Sequence, residues 1–253
     1  MKHVIAAVAS VLICACTPTA EGPTTSASEP ALPGVTLPVA DLAGNRMEAL
    51  TQSGARWCSE DGVWCIEGVS VTASFAAGFP AMTLPGEGDI WPVVIRSGES
   101  AIVGLIRTEA TPYSGGGASV QHLTLYEVAG GEAREAARMP YAASSNIRAC
   151  FDEDDQRQRA GACQDLYTFV TRISLDESVT EGAPRVILET AAGSYPGAVT
   201  RSADSSERPA LTEADLVWAR DEQCTFQRVY ARNTDGTYSP DQPLPACSDY
   251  LEP

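Results

Sequence analysis

Six cysteines constrain this chain more tightly than any other feature, because they fall into three near pairs: Cys58 and Cys65, Cys150 and Cys163, Cys224 and Cys247. An even set in an exported chain reads as disulfides, since that compartment is oxidising. Asp61-Gly62 lies midway between the first two, and Asp-Gly is a preferred pair for a two-residue hairpin turn. Counting outward from it, Glu60 faces Val63, Ser59 faces Trp64, and Cys58 faces Cys65. That count puts the cysteines at a hydrogen-bonded pair, where the strands stand further apart; a bulge or a longer turn would supply the closer register. Cys150–Cys163 would close an acidic loop, and Cys224–Cys247 would pin a proline-rich C-terminal strap. In the chain-entropy model each loop contributes about 2.5–3.5 kcal/mol, against a typical net stability of about 5–15 kcal/mol. The rival use of these thiols is a metal site, which would need the short paired Cys spacings that zinc sites use and this chain lacks.

The start of the chain bears on whether those thiols oxidise. Lys2 and His3 precede an apolar run from Val4 to Ala15, and the stretch ends in Ile13-Cys14-Ala15-Cys16. A basic start, an apolar run and a small residue at the boundary make an export signal. The run is too short for a transmembrane helix, which takes about 20 residues. Ordinary cleavage after Ala20 would place Pro18 awkwardly before the cut, and lipid on Cys14 would put bulky Ile13 where a small residue belongs. The Ala15-Cys16 junction resembles the lipobox of bacterial lipoproteins, with Cys14 standing where that family carries alanine or serine. The resemblance implies that residues 1–15 are a signal peptide, that Cys16 is the lipid attachment site, and that the N-terminal lipid binds the protein to a membrane. With Thr17 rather than aspartate after Cys16, the family's sorting habit implies the outer membrane of a Gram-negative cell, facing the periplasm.

Without the leader, 16 basic residues, all arginine, stand against 33 acids, a balance of −17. Such a surface argues against nucleic acid, whose affinity rests on neutralising phosphates. It also argues against electrostatic docking on anionic lipid. It would steer a basic protein or wall component towards the domain, although solubility through self-repulsion is the plainer account. Residues 16–38 are rich in Thr, Ser, Ala and Pro, with Pro18, Pro23, Pro30, Pro33 and Pro38 spaced against helix and strand alike. This segment reads as a flexible tether that reaches about 3.3 Å per residue when stretched. Residues 39–253 remain as the disulfide-stapled domain.

Within that domain the recurring signal is alternation and short apolar runs. Strands are expected at Val63–Ser74, Pro92–Arg96, Ala101–Thr108, Val120–Val128, Leu166–Leu175, Arg185–Thr190, Leu216–Arg220 and Thr225–Arg232. Turn chemistry separates them at Ser97-Gly98, Ser114 to Gly117, Gly130-Gly131, Gly193 and Asp235-Gly236. Two turns of helix are expected at Leu42–Leu50, and either helix or a returning strand at Glu132–Arg138. Thr212-Glu213-Ala214-Asp215 has the form of a capping box. The composite is an all-β domain, an antiparallel sandwich or barrel with short helical segments and three disulfides.

Catalytic and metal sets are thin. His122 is the one histidine after the leader, no G-x-S-x-G elbow occurs, and no lysine is left for Ser-Lys chemistry. No catalytic, cofactor-binding or metal residue is therefore assigned. Within the acidic run Asp152 to Asp155, the spacing Asp152, Asp154, Gln156 mimics the start of an EF-hand loop, but Arg157 stands where the glycine belongs and Cys163 where the closing glutamate would be. Two features suit a binding surface. Phe226, Arg228, Tyr230 and Arg232 alternate on one strand face, either as an interface or tucked under the strap. The loop Tyr113 to Ser119 is rich in Ser and Gly and lacks the lysine of a P-loop. In composition it is similar to a loop of the lysozyme-inhibitor lipoproteins, without the Arg-Tyr that follows there. The expected function is a non-catalytic binding or structural module of the cell envelope. The alternative is a carboxylate-based hydrolase of envelope glycans, which would need two acids across a cleft.

Overall fold

The computed structural model describes residues 44–74, 80–179, 181–197, 199–202 and 208–253; Cys16 and the tether lie outside them. The described chain opens with β1 (Asn45–Ala49) and crosses into a small antiparallel sheet. That sheet comprises β2 (Thr51–Ser53), β3 (Arg56–Cys58), β4 (Trp64–Glu67), β5 (Ser70–Ala73) and β6 (Met82–Thr83), paired in chain order. After β7 (Asp89–Ile90) and β8 (Val93–Ser97) come the long strands β9 (Ser100–Tyr113), β10 (Gly116–Ala129) and β11 (Glu132–Arg148). Helix α1 (Glu153–Gln158) leads to β12 (Gln164–Leu175) and β13 (Val186–Tyr195). The C-terminal part holds β14 (Ala219–Arg220), β15 (Gln227–Arg232), β16 (Tyr238–Pro240) and α2 (Ser248–Leu251). The large sheet runs β1-β8-β9-β10-β11-β12-β13-β15-β16, with β14 beside β13 and β7 beside β9, and every pairing is antiparallel.

This sheet rolls up. Glu127 on β10 is four strands away from Arg232 on β15, yet Arg232 donates to both its carboxylate oxygens, at 3.2 and 3.1 Å. Arg134 Nε donates to the same carboxylate at 3.0 Å and Arg134 Nη1 to the Asp235 carbonyl at 3.2 Å, so the two hairpins close on each other. Met47 of β1 and Tyr238 of β16, at opposite edges of the sheet, accordingly belong to one buried cluster with Trp91, Leu123, Met139 and Leu188. A second cluster fills the space between the small sheet (Trp64, Ile66, Val71) and strands β8 to β10 (Val94, Val103, Leu105, Val128). Residues 93–95 of β8, 101–105 of β9 and 123–128 of β10 are thus buried on both faces, which explains their continuous apolar runs. A third cluster, around Val120, Tyr167 and Phe169, lies under the strap held by Cys224–Cys247 and under Tyr250 of α2.

All three cysteine pairs are joined, with S–S distances of 2.17, 2.13 and 2.20 Å. At the first pair the turn is longer than the two-residue count. Gly62 N–H bonds to the Ser59 carbonyl, and Ser59 N–H bonds to the Trp64 carbonyl. Cys58 and Cys65 therefore face each other at the closer, non-hydrogen-bonded position, with Cα atoms 4.1 Å apart. Gly62, at φ 68°, supplies the left-handed residue the turn needs.

Several elements differ from the sequence expectation. Leu42–Leu50 is not helical where described: Asn45–Ala49 pairs with β8 as a strand, its helix-forming residues overridden by the packing of Met47. Val63–Ser74 is two strands, folded back at Gly68. Leu216–Arg220 keeps only two strand residues, because the Thr212 capping box starts a single 3-10 turn at Glu213–Asp215. The largest difference is β11, 17 residues long, whose pairing with β10 shifts register at Gln121/His122 and at Leu125/Tyr126. Each shift breaks the alternation, so Ala136 and Ala137 both enter the core.

Candidate functional site

The β9–β10 hairpin carries the Ser-Gly-rich stretch, but only Ser114 and Gly115 form the turn; Gly116 to Ser119 already belong to β10. Glycine is required here by close approach. A Cβ on Gly116 would lie 1.9 Å from the Asn146 carbonyl oxygen, and Gly115 sits at φ 90°. The tip is pinned from the C-terminal side by Arg201, whose Nη2 donates to the Tyr113 hydroxyl at 3.0 Å.

Small residues at this end leave a groove of about 580 Å³ that crosses β9, β10, β11 and β12. Register fixes its floor. Ala110, Ser119, Ser144 and Thr168 are successive cross-strand partners, and Pro112, Gly117, Asn146 and Leu166 form a parallel row beside them. These residues face away from the third cluster, whose Val120, Ala143 and Phe169 alternate with them. Trp218 walls the groove beyond β12, its ring 5.9 Å from that of Tyr195, the partner of Leu166. Three interstrand steps span about 14 Å. The lining residues include hydroxyls, one carboxamide and aromatic surface, and no charged side chain. Most of the accessible lining is apolar, with the Ser144 hydroxyl and the Asn146 amide as its exposed hydrogen-bonding groups, so the groove suits an uncharged ligand that offers both apolar and hydrogen-bonding surface.

The groove continues into charged surface at one end. Arg148 and Gln164 are the next cross-strand pair in the Asn146–Leu166 row, and the Arg148 guanidinium lies 5.1 Å from the centre of the Phe151 ring. Phe151 is 70 % exposed at the mouth of the Cys150–Cys163 loop.

The acidic run inside that loop is not arranged as a cation site. Asp152 caps α1, accepting from the Asp154 and Asp155 N–H groups at 2.9 Å each. Asp155 accepts from Phe151 N–H, and Asp154 pairs with Arg157. Among the described residues no group of three or more His, Cys, Asp or Glu is placed to share a metal ion. His122 sits half-buried on β10, partnered in register by Arg107 and Pro140. The alternating row on β15 is no free interface. Tyr230 is buried, Arg232 is held by Glu127, and Arg228 covers the Phe226 ring at 4.9 Å while donating to the Pro243 carbonyl of the strap.

Carboxylates elsewhere serve the fold. Burial pushes Asp165 up, Arg159 and Arg208 oppose that rise, and a buried ion pair with Arg159 encloses its carboxylate. Burial also acts to raise Asp61, but hydrogen bonds from the Ser59 hydroxyl, Val63 N–H and Arg96 outweigh it and hold this acid at about 2. Burial lifts Tyr230 and Tyr238 to about 12. Among the described residues no helix is long and apolar enough to cross a membrane.

Sequence reasoning singled out Tyr113 to Ser119 but missed Ser144, Thr168 and Leu166, which lie on other strands, and Trp218, which lies just ahead of β14. No known protein family, curated protein or solved structure matches the chain.

Proposed function

We propose that this protein is an extracytoplasmic lipoprotein, tethered through Cys16, that works as a non-catalytic binding module of the cell envelope, with the groove over β9 to β12 as its binding face. The three disulfides fit an oxidising compartment outside the cytoplasm. The observation that carries the reading is the groove itself, pre-formed on four paired strands and lined without any carboxylate. A site that hydrolysed glycans would present two acids across it, so binding is favoured over hydrolysis there. Retention of the full-length protein, in mild detergent, on a washed envelope fraction tests this. The wild type should be retained and Ser144→Arg, which fills the exposed centre of the floor, should be released. Equal retention of both would defeat the assignment of the groove.

A further inference from the structure

From the lining chemistry we infer that the groove takes an uncharged glycan strand, laid across β9, β10, β11 and β12 with one sugar ring against Trp218. The inference rests on the binding-module reading above and narrows its ligand.

Three observations favour a glycan over an extended peptide. First, the groove crosses the strands on a sheet face, where the main-chain groups are already used in the β9–β10, β10–β11 and β11–β12 ladders. A peptide bound to a sheet draws its affinity from main-chain partners at a free edge; the face offers almost none, and the open β9 edge that borders it carries Pro112, which has no N–H to donate, and the charged Arg107 and Glu109. Second, within a mostly apolar lining the groove exposes the Ser144 hydroxyl and the Asn146 amide on β11, with half-buried Ser119 one strand away on β10 and Thr168 largely buried on β12. Successive positions are about 4.8 Å apart, close to the length of one pyranose unit. Sugar hydroxyl and acetamido groups donate and accept, as these side chains do. Third, Trp218 and Tyr195 form a tilted aromatic pair at the end of the groove, and an aromatic face packs against the C–H face of a pyranose ring while its polar edge stays hydrated. The absence of charge from the lining separates this ligand from acidic polysaccharides, phosphorylated lipids and basic peptides, each of which would need a counter-charge.

The test is calorimetric titration of the full-length protein in detergent with N-acetylglucosamine oligomers of increasing length. A polygalacturonate oligomer and a neutral Ser/Asn/Gly peptide are the comparison arms. Affinity should rise with length until about three rings fill the ~14 Å span, and both comparison arms should fail to bind. Trp218→Ala and Ser144→Arg should each weaken the oligomer by about tenfold or more with unchanged thermal melting, so that loss of binding is not loss of fold. No binding of any neutral oligomer, binding untouched by both variants, or preference for the peptide or the acidic glycan would overturn the inference. If the oligomers fail while retention on envelope material still depends on Ser144, the glycan inference falls and the binding module stands. If retention is also indifferent to Ser144→Arg, both fall.

Discussion

Single residues fix how this rolled sheet is held shut. Glu127 is about nine-tenths buried and takes hydrogen bonds from two arginines on different hairpins. Its ordinary acidity is strengthened: burial opposes ionisation, but the Arg232 and Arg134 bonds prevail and keep it below the usual carboxylate range. Glu127→Ala would leave two guanidinium groups facing each other and should cost about 1–2 kcal/mol in urea unfolding, less than for a fully buried pair because Arg134 and Arg232 are partly solvated. Asp61 acts at the rim. Its carboxylate accepts from Ser59 and Val63 and meets Arg96 Nη1 at 2.5 Å, and Arg96 also reaches Glu48 on β1. An acid held at about 2 when folded, against about 4 unfolded, stabilises the fold fully above about pH 4. That stabilisation is lost as pH falls towards 2. Asp61→Asn should therefore flatten the acid limb of the stability curve across that window. At neutral pH it should cost less than about 1 kcal/mol, since the side chain is 41 % exposed and the pair is screened. Denaturant midpoints of the variant and the wild type across the acid range would check both statements.

At the scale of elements, legibility followed periodicity. Val93–Ser97 and the cores of β9, β10 and β12 stood out because they are buried and rich in β-branched residues. The cysteine pairs were readable because each lies close in sequence, and the longer turn found at the first is one of the two devices, bulge or longer turn, that its spacing left open. By contrast, β11 was obscured by two bulges and by its exposed Glu, Arg and Ser positions, and β1 by residues that favour helix. The outer end of β9, Glu109 to Pro112, lay beyond the expected strand for a related reason. It is exposed and, among the described residues, paired only with β10. Pro112 and the charged Arg107 and Glu109 guard this open edge against further strand pairing. Breaking the strap tests the third cluster: Cys224→Ser with Cys247→Ser should cost about 3 kcal/mol and expose Tyr250 first, seen as earlier fluorescence change than global melting.

For the whole molecule, the sequence indicated compartment and fold class but could not disclose the groove. Ser119, Ser144 and Thr168 are neighbours only through register, and Trp218 reaches them only because β14 docks on β13. No spacing along the chain announces a site assembled across four strands and a loop residue. The anchor proposal is separate and has its own check. Mass spectrometry of native protein should find a mature chain beginning at lipidated Cys16 with six oxidised thiols; an uncleaved leader or free sulfhydryl groups would contradict it. That the groove is the working face is tested most directly by hydrogen–deuterium exchange of the native protein with and without purified cell-wall sacculi. The account predicts added protection in Ala110–Ser119, Ser144–Asn146, Leu166–Thr168 and around Trp218, with the small sheet unchanged. Protection confined to the small sheet or to the strap, with none along the groove, would contradict it.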